Sequence, residues 1–519
     1  MIAAQLRTIL AAGLAGFLSL PAIAADGSKP APVTDPLDAV LDPKWKPQQP
    51  PAPPPEKVEP AASSSSHTVG EQPKRRRPQE DRSLFNEPTL LPQLPDGEVA
   101  GLNLGAGLGT LDDATELQLT GRIYLTNDVV LGDTINHALS SNNPAQPSGD
   151  NRKFDHDEWR DYLRLIQRFD ISGSGVRLAL GKLGNVNLGE SGLIQHLNNN
   201  LLADTPRLGI LFRTDQPTWW LELMVADATW LSPVTGAQLG LRPAGNSDSR
   251  LLSSLRVSAH YAGDQEAPLA LNRDLVAKTV AVAEERRPLY SNQRVHGFGA
   301  DVALRPLQAG MVYGELFGAY NALLSHGNGI HGGARLGISG EAGAFELRGE
   351  VRSLGANYLP HYFDSFYDVQ RANYLTGSAA TSAMTKLQFL NSLNTTSRTQ
   401  NFFGGANLNL GRSLGVEASY ETGGYAYSSI ATLHVQLAAS DEVTLFGTYQ
   451  RRNYDSEGGF FKFDRNELVV ARARFKLSST WFLTGFATRT FIFDTGSASG
   501  GEYRPTWSGG GSIEWLVGT

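Results

Sequence analysis

The sequence predicts an all-β protein, an antiparallel transmembrane β-barrel of about 16 to 18 strands. Apolar and polar residues alternate with a period of two along most of residues 97–519, an export leader stands at the N-terminus, and no cysteine occurs among the 519 residues. A period of two places apolar side chains on one face of a strand and polar side chains on the other. In a membrane barrel one face then meets lipid and the other meets a polar lumen.

The first 25 residues have the layout of a cleavable signal peptide. Arg7 precedes an apolar stretch at 9–20, and small residues follow at 22–25. The apolar stretch is too short to cross a bilayer as a helix. We therefore expect residues 1–25 to direct export and the mature chain to leave the cytoplasm.

Residues 26–96 differ sharply in composition from the rest of the chain. Of the 28 prolines, 16 lie between positions 30 and 95, whereas nearly all the glycines follow position 97. This composition predicts a disordered Pro-rich linker that favours polyproline II. We expect it to lie in the periplasm, where a periplasmic or cell-wall partner can bind it, and we place the barrel at 97–519.

Residues 345–352 show the alternation most plainly. Their sequence Phe-Glu-Leu-Arg-Gly-Glu-Val-Arg places Phe, Leu, Gly and Val on one face and four charges on the other. Tight turns and long connections alternate between such segments, as short periplasmic turns and long outer loops do in outer-membrane barrels. We expect long loops after residues 127, 184, 263 and 354, with helices at 272–287 and 379–393 inside two of them.

The charged face supplies candidates for the lining of the lumen. An arginine or lysine near the centre of the lipid-facing surface costs about 2–4 kcal/mol, so such residues are expected to face inward. The candidates are Arg122, Arg164, Arg168, Glu346, Arg348, Glu350, Arg352, Glu417, His434, Arg472, Arg474 and Lys476.

Two arrangements satisfy these charges. In an open channel they are hydrated and set ion selectivity, with Arg472, Arg474 and Lys476 forming a cationic ladder. In a filled barrel they pair with one another across the interior. About 8 strands fill with side chains, whereas 16 to 18 leave an aqueous passage, so strand number favours the open channel.

No enzyme, cofactor or metal site is predicted. The acidic and histidine-containing run at 155–158 faintly resembles the omptin proteases, but no second Asp-His pair accompanies it. The stretch at 325–329 resembles outer-membrane phospholipases, yet Gly327 stands where the nucleophilic serine belongs. The spacing of His326, His331 and His361 matches no compact metal site. A net charge of −7 indicates no nucleic-acid partner.

Residues 98–519 resemble Gram-negative outer-membrane β-barrels of the porin size class, although the chain ends in threonine rather than in an aromatic residue. The resemblance implies passage of solutes through the outer membrane. We therefore expect an outer-membrane channel for small polar solutes or ions, in contact with outer-membrane lipid. The alternatives are an export conduit for polysaccharide or protein with a periplasmic partner, and a closed structural or adhesive surface barrel.

Overall fold

A computed structural model describes most of the predicted barrel. It covers Leu91, Leu94 and residues 100–518, with gaps at 112–113, 142–161, 164, 200, 202–206, 230–233, 246, 248, 272, 275–278, 281–289, 341, 375–383, 394–397, 412, 423–428, 441, 453–466 and 495–501. The predicted signal peptide, and the linker apart from its two leucines, lie outside the described residues.

Twenty strands pair antiparallel in chain order, and the first pairs with the last, so the sheet is a closed barrel. The barrel strands are β1 (Gly101–Leu111), β2 (Ala114–Thr126), β3 (Val129–Ser141), β4 (Ile166–Gly173), β5 (Val176–Gly181), β8 (Gly209–Asp215), β9 (Trp219–Val225), β10 (Val234–Leu241), β11 (Arg256–Leu271), β14 (Tyr290–Ala309), β15 (Val312–Leu323), β16 (Asn328–Ser339), β17 (Ala344–Leu354), β18 (Thr399–Leu410), β19 (Leu414–Thr422), β20 (Ile430–Ser440), β21 (Val443–Arg452), β22 (Glu467–Lys476), β23 (Trp481–Asp494) and β24 (Glu502–Gly518).

Outside the barrel sheet lie two small hairpins and three helices whose bounds the structure describes, and residues 162–163 are helical as well. The hairpins pair β6 (Val186–Leu188) with β7 (Ile194–Leu197) and β12 (Arg273–Asp274) with β13 (Thr279–Val280). The helices are α1 (Arg250–Ser253), α2 (Tyr367–Gln370) and α3 (Lys386–Ser392). None of these helices has the length and apolar character needed to cross a membrane.

The alternation in sequence becomes an alternation of burial. On β15, Leu316 and Tyr320 are about half exposed, whereas Glu315 and Asn321 are buried. The same pattern of exposed apolar and buried polar residues runs through β16 and β17. The apolar side chains therefore form the outer surface, and the polar ones point into the barrel.

The predicted fold class is confirmed, and the barrel has 20 strands where about 16 to 18 were expected. The two additional strands are β3 and β10. In β10 the inward positions hold Gly236, Gln238 and Gly240, and in β3 they hold Gly132 and Thr134. Such strands resemble loops in sequence because a wide barrel accepts glycine and polar side chains on its inner face.

The two ends of the barrel differ. At one end most connections are short, such as the turns at 127–128, 174–175 and 310–311, and the start of β1 and the end of β24 also lie there. At the other end lie the long connections, among them 182–208 and 355–398. We call these the short-turn end and the long-loop end; in outer-membrane barrels they face the periplasm and the exterior, respectively.

Three expectations about the long connections need correction. The segment after residue 127 is a two-residue turn into β3, and β11 continues past residue 263 to Leu271. The predicted helix at 272–287 is wrong where the structure describes it, because β12 pairs with β13 there. The helix expected at 379–393 is present as α3, which begins with a capping box at Thr385.

Replacing Leu347 with arginine tests the lipid-facing surface. Leu347 lies on the outer face of β17 and is 45% exposed. A cation there loses its hydration, so the free energy of unfolding should fall by about 2 kcal/mol or more. Urea unfolding in phospholipid vesicles, followed by tryptophan fluorescence, measures this change. Leu347→Met keeps the face apolar and serves as the control, and equal losses in both variants would contradict the assignment.

Candidate functional site

Two loops from the long-loop end fold back into the barrel. The first, residues 182–208, carries the β6–β7 hairpin, and the second, residues 355–398, carries α2 and α3. They are joined by a parallel bridge between Ile194 and Phe363, and the Phe363 amide donates to the Leu193 carbonyl at 3.0 Å. We call the described residues of these two loops the plug.

The plug has an apolar core that extends onto the inner wall. Leu188 and Leu193 of the first loop and Tyr358 of the second are fully buried. They belong to one cluster with the inward-facing wall residues Val295 and Leu354. The plug is therefore packed against the wall rather than loosely enclosed by it.

Two inward-facing glycines make room for the plug. A Cβ atom on Gly236 of β10 would overlap Leu188 and Ile194, and one on Gly297 of β14 would overlap Leu193. With glycine at these positions, the first loop packs directly against the wall backbone, and a larger residue would force its side chains to shift. These positions shape the wall for this occupant.

Glu190, in the turn between β6 and β7, binds arginines from three wall strands. Its carboxylate lies 3.0 Å from Arg256 and 2.5 Å from Arg335, and its carbonyl accepts a bond from Arg348. Burial alone raises the pKa of Glu190, but the arginines outweigh it and hold the pKa at about 2. Glu315 of β15 contacts the first two arginines at 2.8 and 3.0 Å, so the positive charge is shared between plug and wall.

Ser191 leads into a second, fully buried network. Its hydroxyl donates to Glu350 at 2.9 Å and contacts Nδ1 of His331 at 2.9 Å. Arg352 links Glu350 at 2.8 Å to Glu421 at 2.9 Å. Through these contacts Ser191 anchors the plug to β16 and β17.

The second loop is anchored around Lys386. Its ammonium group lies 3.2 Å from Asp364 and 5.3 to 5.6 Å from the ring centres of Tyr362, Tyr367 and Tyr374. Burial lowers the pKa of Lys386 to about 8, against the attraction of Asp364. The tyrosine faces supply cation–π attraction in place of water.

A cavity of about 20 Å³ lies beside this lysine. That space accommodates about one water molecule. Its lining combines wall and plug residues: Leu354, Leu359, Pro360, Asp364, Tyr374, Lys386, Asn401, Glu421 and Ile430. In the part of the chain that the structure describes, the region around α3 is therefore closely packed.

Most of the sequence-predicted residues on β17 to β20 lie in these networks. Arg348, Glu350 and Arg352 meet directly, as described above. Glu346 accepts a bond from the Tyr313 hydroxyl and lies 3.9 Å from Arg335. Glu417 contacts His196 of the plug at 2.9 Å, and His434 contacts Thr448 at 3.0 Å.

The other predicted residues lie outside these networks, although Arg472 also contacts the plug. Arg122 pairs with Glu514 at 2.9 Å, and Arg168 with Asp128 at 3.4 Å. Arg472 donates to the Leu201 carbonyl at 3.1 Å, and Arg474 donates to the Leu91 carbonyl. Lys476 ends β22 and is partly buried, whereas Arg164 lies outside the described residues. As the lining of a solute passage, the twelve residues remain a prediction.

The central member of the site was missed in sequence. Glu190 lies in a loop, where no periodicity marks it. Its partner Arg335 had a usable signal, since it is a single charge within the apolar and glycine-rich strand β16. Periodicity thus identifies a charged wall, but it does not identify which loop enters the barrel.

No family model matches this chain, and no curated protein matches it. Among solved structures, OccK11 of Pseudomonas aeruginosa aligns with 12% identity and a TM-score of 0.30, covering 84% of this chain and 99% of that one. Wzi of Escherichia coli, described as a carbohydrate-binding β-barrel involved in group 1 capsule assembly, aligns with 9% identity and a TM-score of 0.30, covering 81% and 85%. A mutant porin of Rh. blastica aligns with 8% identity and a TM-score of 0.24, covering 80% and 99%.

At these identities and TM-scores the likenesses carry no argument about function. The class rests on the chain's own sheet, which is antiparallel, closed, apolar outside and polar inside. The chain is a β-barrel of the outer-membrane type and of the porin size class.

Proposed function

We propose that the protein is an outer-membrane conduit for small polar solutes or ions, narrowed by its own plug. The observation that carries this proposal is the charged inner wall behind the plug. Arg335, Arg348 and Arg352 belong to barrel strands, so they remain on the wall wherever the plug lies. A wall of this kind suits hydrated ions and polar solutes.

The width of the barrel supports this proposal. A barrel of about 8 strands fills with its own side chains, whereas one of 20 encloses a space that side chains alone do not fill. Here two loops occupy much of that space. Loops can leave the lumen, whereas the side chains of the wall cannot.

The way in which the plug is attached to the wall also supports a plug that can move. The β6–β7 hairpin is a sheet of its own and is not part of the barrel sheet. Its polar contacts with the wall are made largely by side chains, above all those around Glu190. The hairpin can therefore shift without breaking the hydrogen-bond ladder that closes the barrel.

The proposal also includes the signal peptide, the lipid contact and the linker. The signal peptide at 1–25 exports the chain, and the outer surface contacts outer-membrane lipid. Because β1 starts at the short-turn end, we place the linker at 26–96 in the periplasm, available to a periplasmic or cell-wall partner.

A closed structural or adhesive barrel is the second candidate. It is favoured by the network of Ser191, Glu350, Arg352 and Glu421, in which a plug residue is bound to buried ion pairs of the wall. Withdrawing the plug would remove the Ser191 donor from the buried Glu350 carboxylate, at a cost of about 1–3 kcal/mol. A plug held this firmly suits a barrel that binds at its surface and does not conduct.

Planar-bilayer conductance separates the two candidates. The wild-type barrel is compared with a variant in which residues 185–198 are replaced by a short Gly-Ser linker. A conduit predicts stable steps in the wild type and steps at least threefold larger in the variant, because the hairpin no longer occupies the lumen. If both proteins insert and remain silent, the conduit is wrong and the closed barrel is supported.

A single substitution tests the Glu190 contact. Glu190→Gln leaves Arg256 and Arg335 with one carboxylate fewer, so the plug should loosen and the open probability should rise at pH 7. Asp170→Asn is the matched control, because its partner Arg177 lies on the neighbouring wall strand at 2.6 Å and not on the plug. An equal effect of both substitutions would show that general loss of charge, not plug attachment, is responsible.

The contribution of the Glu190 carboxylate to plug attachment should change with pH in a definite direction. The pKa of Glu190 falls from 4.5 to about 2 in the folded barrel. Its contribution to stability is therefore complete above pH 4.5 and is lost as the pH falls toward 2. The difference in open probability between wild type and Glu190→Gln should persist at pH 5 and shrink as the pH approaches 2. A difference that disappears between pH 7 and 5 would assign the effect to another group.

A further inference from the structure

Two leucines just before β1 contact the inner wall at the short-turn end. Leu91 and Leu94 are 8% and 5% exposed, although they precede the barrel in sequence. The Leu94 amide donates to the side chain of Asn127 at 2.8 Å, and the Leu91 carbonyl accepts from Arg474. Both leucines are therefore fixed by polar bonds as well as by burial.

The surface that receives the leucines is an apolar patch inside the barrel. It consists of Tyr124 on β2, Val130 on β3, Phe482 on β23 and Leu516 on β24, which form one buried cluster with the leucines. These positions alternate with exposed outer residues such as Ile123 and Trp515, so they face inward. We call these four residues the socket.

An apolar patch on the inner wall needs a cover. On the opposite part of the wall, inward-facing Val295 and Leu323 are covered by the plug. The socket lies apart from that cluster and is covered by Leu91 and Leu94 instead. Tyr124, Val130 and Leu516 are at most 1% exposed, which shows how completely the leucines and their surroundings exclude water.

The socket is located at the mouth of the barrel. Tyr124 and Val130 flank the turn at 127–128, and Phe482 and Leu516 lie where β23 begins and β24 ends. All four elements meet at the short-turn end. A solute entering the lumen from that side along β22 to β24 and β1 to β3 has to pass the two leucines.

We propose that Leu91 and Leu94 form an intramolecular stopper, which seats in the socket and closes this part of the short-turn mouth. The stopper is separate from the plug, which enters from the long-loop end and belongs to other buried clusters. Its effect on conductance rests on the proposed function, but its effect on access to the lumen does not. The described contacts of the two leucines are side-chain packing and hydrogen bonds to Asn127 and Arg474, none of which belongs to the hydrogen-bond ladder of the barrel sheet.

Cysteine accessibility tests the stopper directly because the chain has no cysteine of its own. Ser512 faces inward on β24 and pairs with Thr484 of β23. Thr484 in turn pairs with Arg474 of β22, the residue that binds the Leu91 carbonyl. Ser512→Cys is labelled in folded, detergent-solubilised protein with a water-soluble methanethiosulfonate reagent. Combining it with Leu91→Ser and Leu94→Ser should raise the labelling rate at least tenfold, because the mouth is then open.

Thr490→Cys is the matched control. Thr490 faces inward on the same strand pair but lies nearer the long-loop end, so its labelling rate should not change when the leucines are replaced. An unchanged rate at Ser512→Cys would overturn the stopper. An equal increase at both positions would also overturn it, because that result indicates general loosening of the barrel.

A disulfide test covers the case in which the serine variants fold poorly. Leu94→Cys with Asn127→Cys should oxidise to an intramolecular disulfide, whereas Leu94→Cys with Thr490→Cys should not. Failure of the first pair to cross-link would overturn the placement of the segment.

Conductance of the same variants separates the two proposals. Faster labelling of Ser512→Cys without any conductance supports the stopper and counts against the conduit. Conductance in the wild type with unchanged labelling overturns the stopper alone.

Discussion

The requirement that every backbone polar group in lipid finds a partner within the protein governs this structure. An open sheet in a bilayer leaves a row of unpaired N–H and C=O groups at each edge. Here β1 pairs with β24 over ten residue pairs, so neither edge is exposed. Closure makes one face of every strand an outer surface and the other an inner surface, and the alternation in sequence follows from it.

Closure with 20 strands creates a further constraint. The interior is too wide for side chains from opposite walls to meet, and the wall carries many charged residues. The charges are satisfied partly by neighbours on adjacent strands and partly by a plug built from two loops. Glu190 shows how this works: one loop carboxylate binds arginines from β11 and β16, which also bind Glu315 of the wall.

The plug and the stopper use different physical interactions. The plug combines an apolar core with buried ion pairs, which require precise geometry because each charge has lost its water. The proposed stopper depends on two leucines and an apolar socket, and each of the two leucines also has a backbone hydrogen bond to a wall or turn side chain. Apolar packing is less sensitive to exact geometry, so the plug and the proposed stopper are held by contacts of different character.

Much of the architecture was accessible from sequence. The period of two in residues 345–352 determined which side chains face lipid, because lipid requires an apolar outer surface. The charged residues of β17 were assigned to the inner face for the same reason, and the structure places Arg348, Glu350 and Arg352 there, within one network.

The tertiary structure alone decided the strand number and the contents of the lumen. β3 and β10 were missed because a wide polar interior tolerates glycine and polar residues that resemble a loop. Glu190 has no periodic neighbours, and its role arises only when the β6–β7 turn meets strands far away in sequence. Likewise, Leu91 and Leu94 belong by composition to the Pro-rich linker. Local pattern determines which face of a strand is apolar, whereas contacts between distant segments determine what fills the space that the strands enclose.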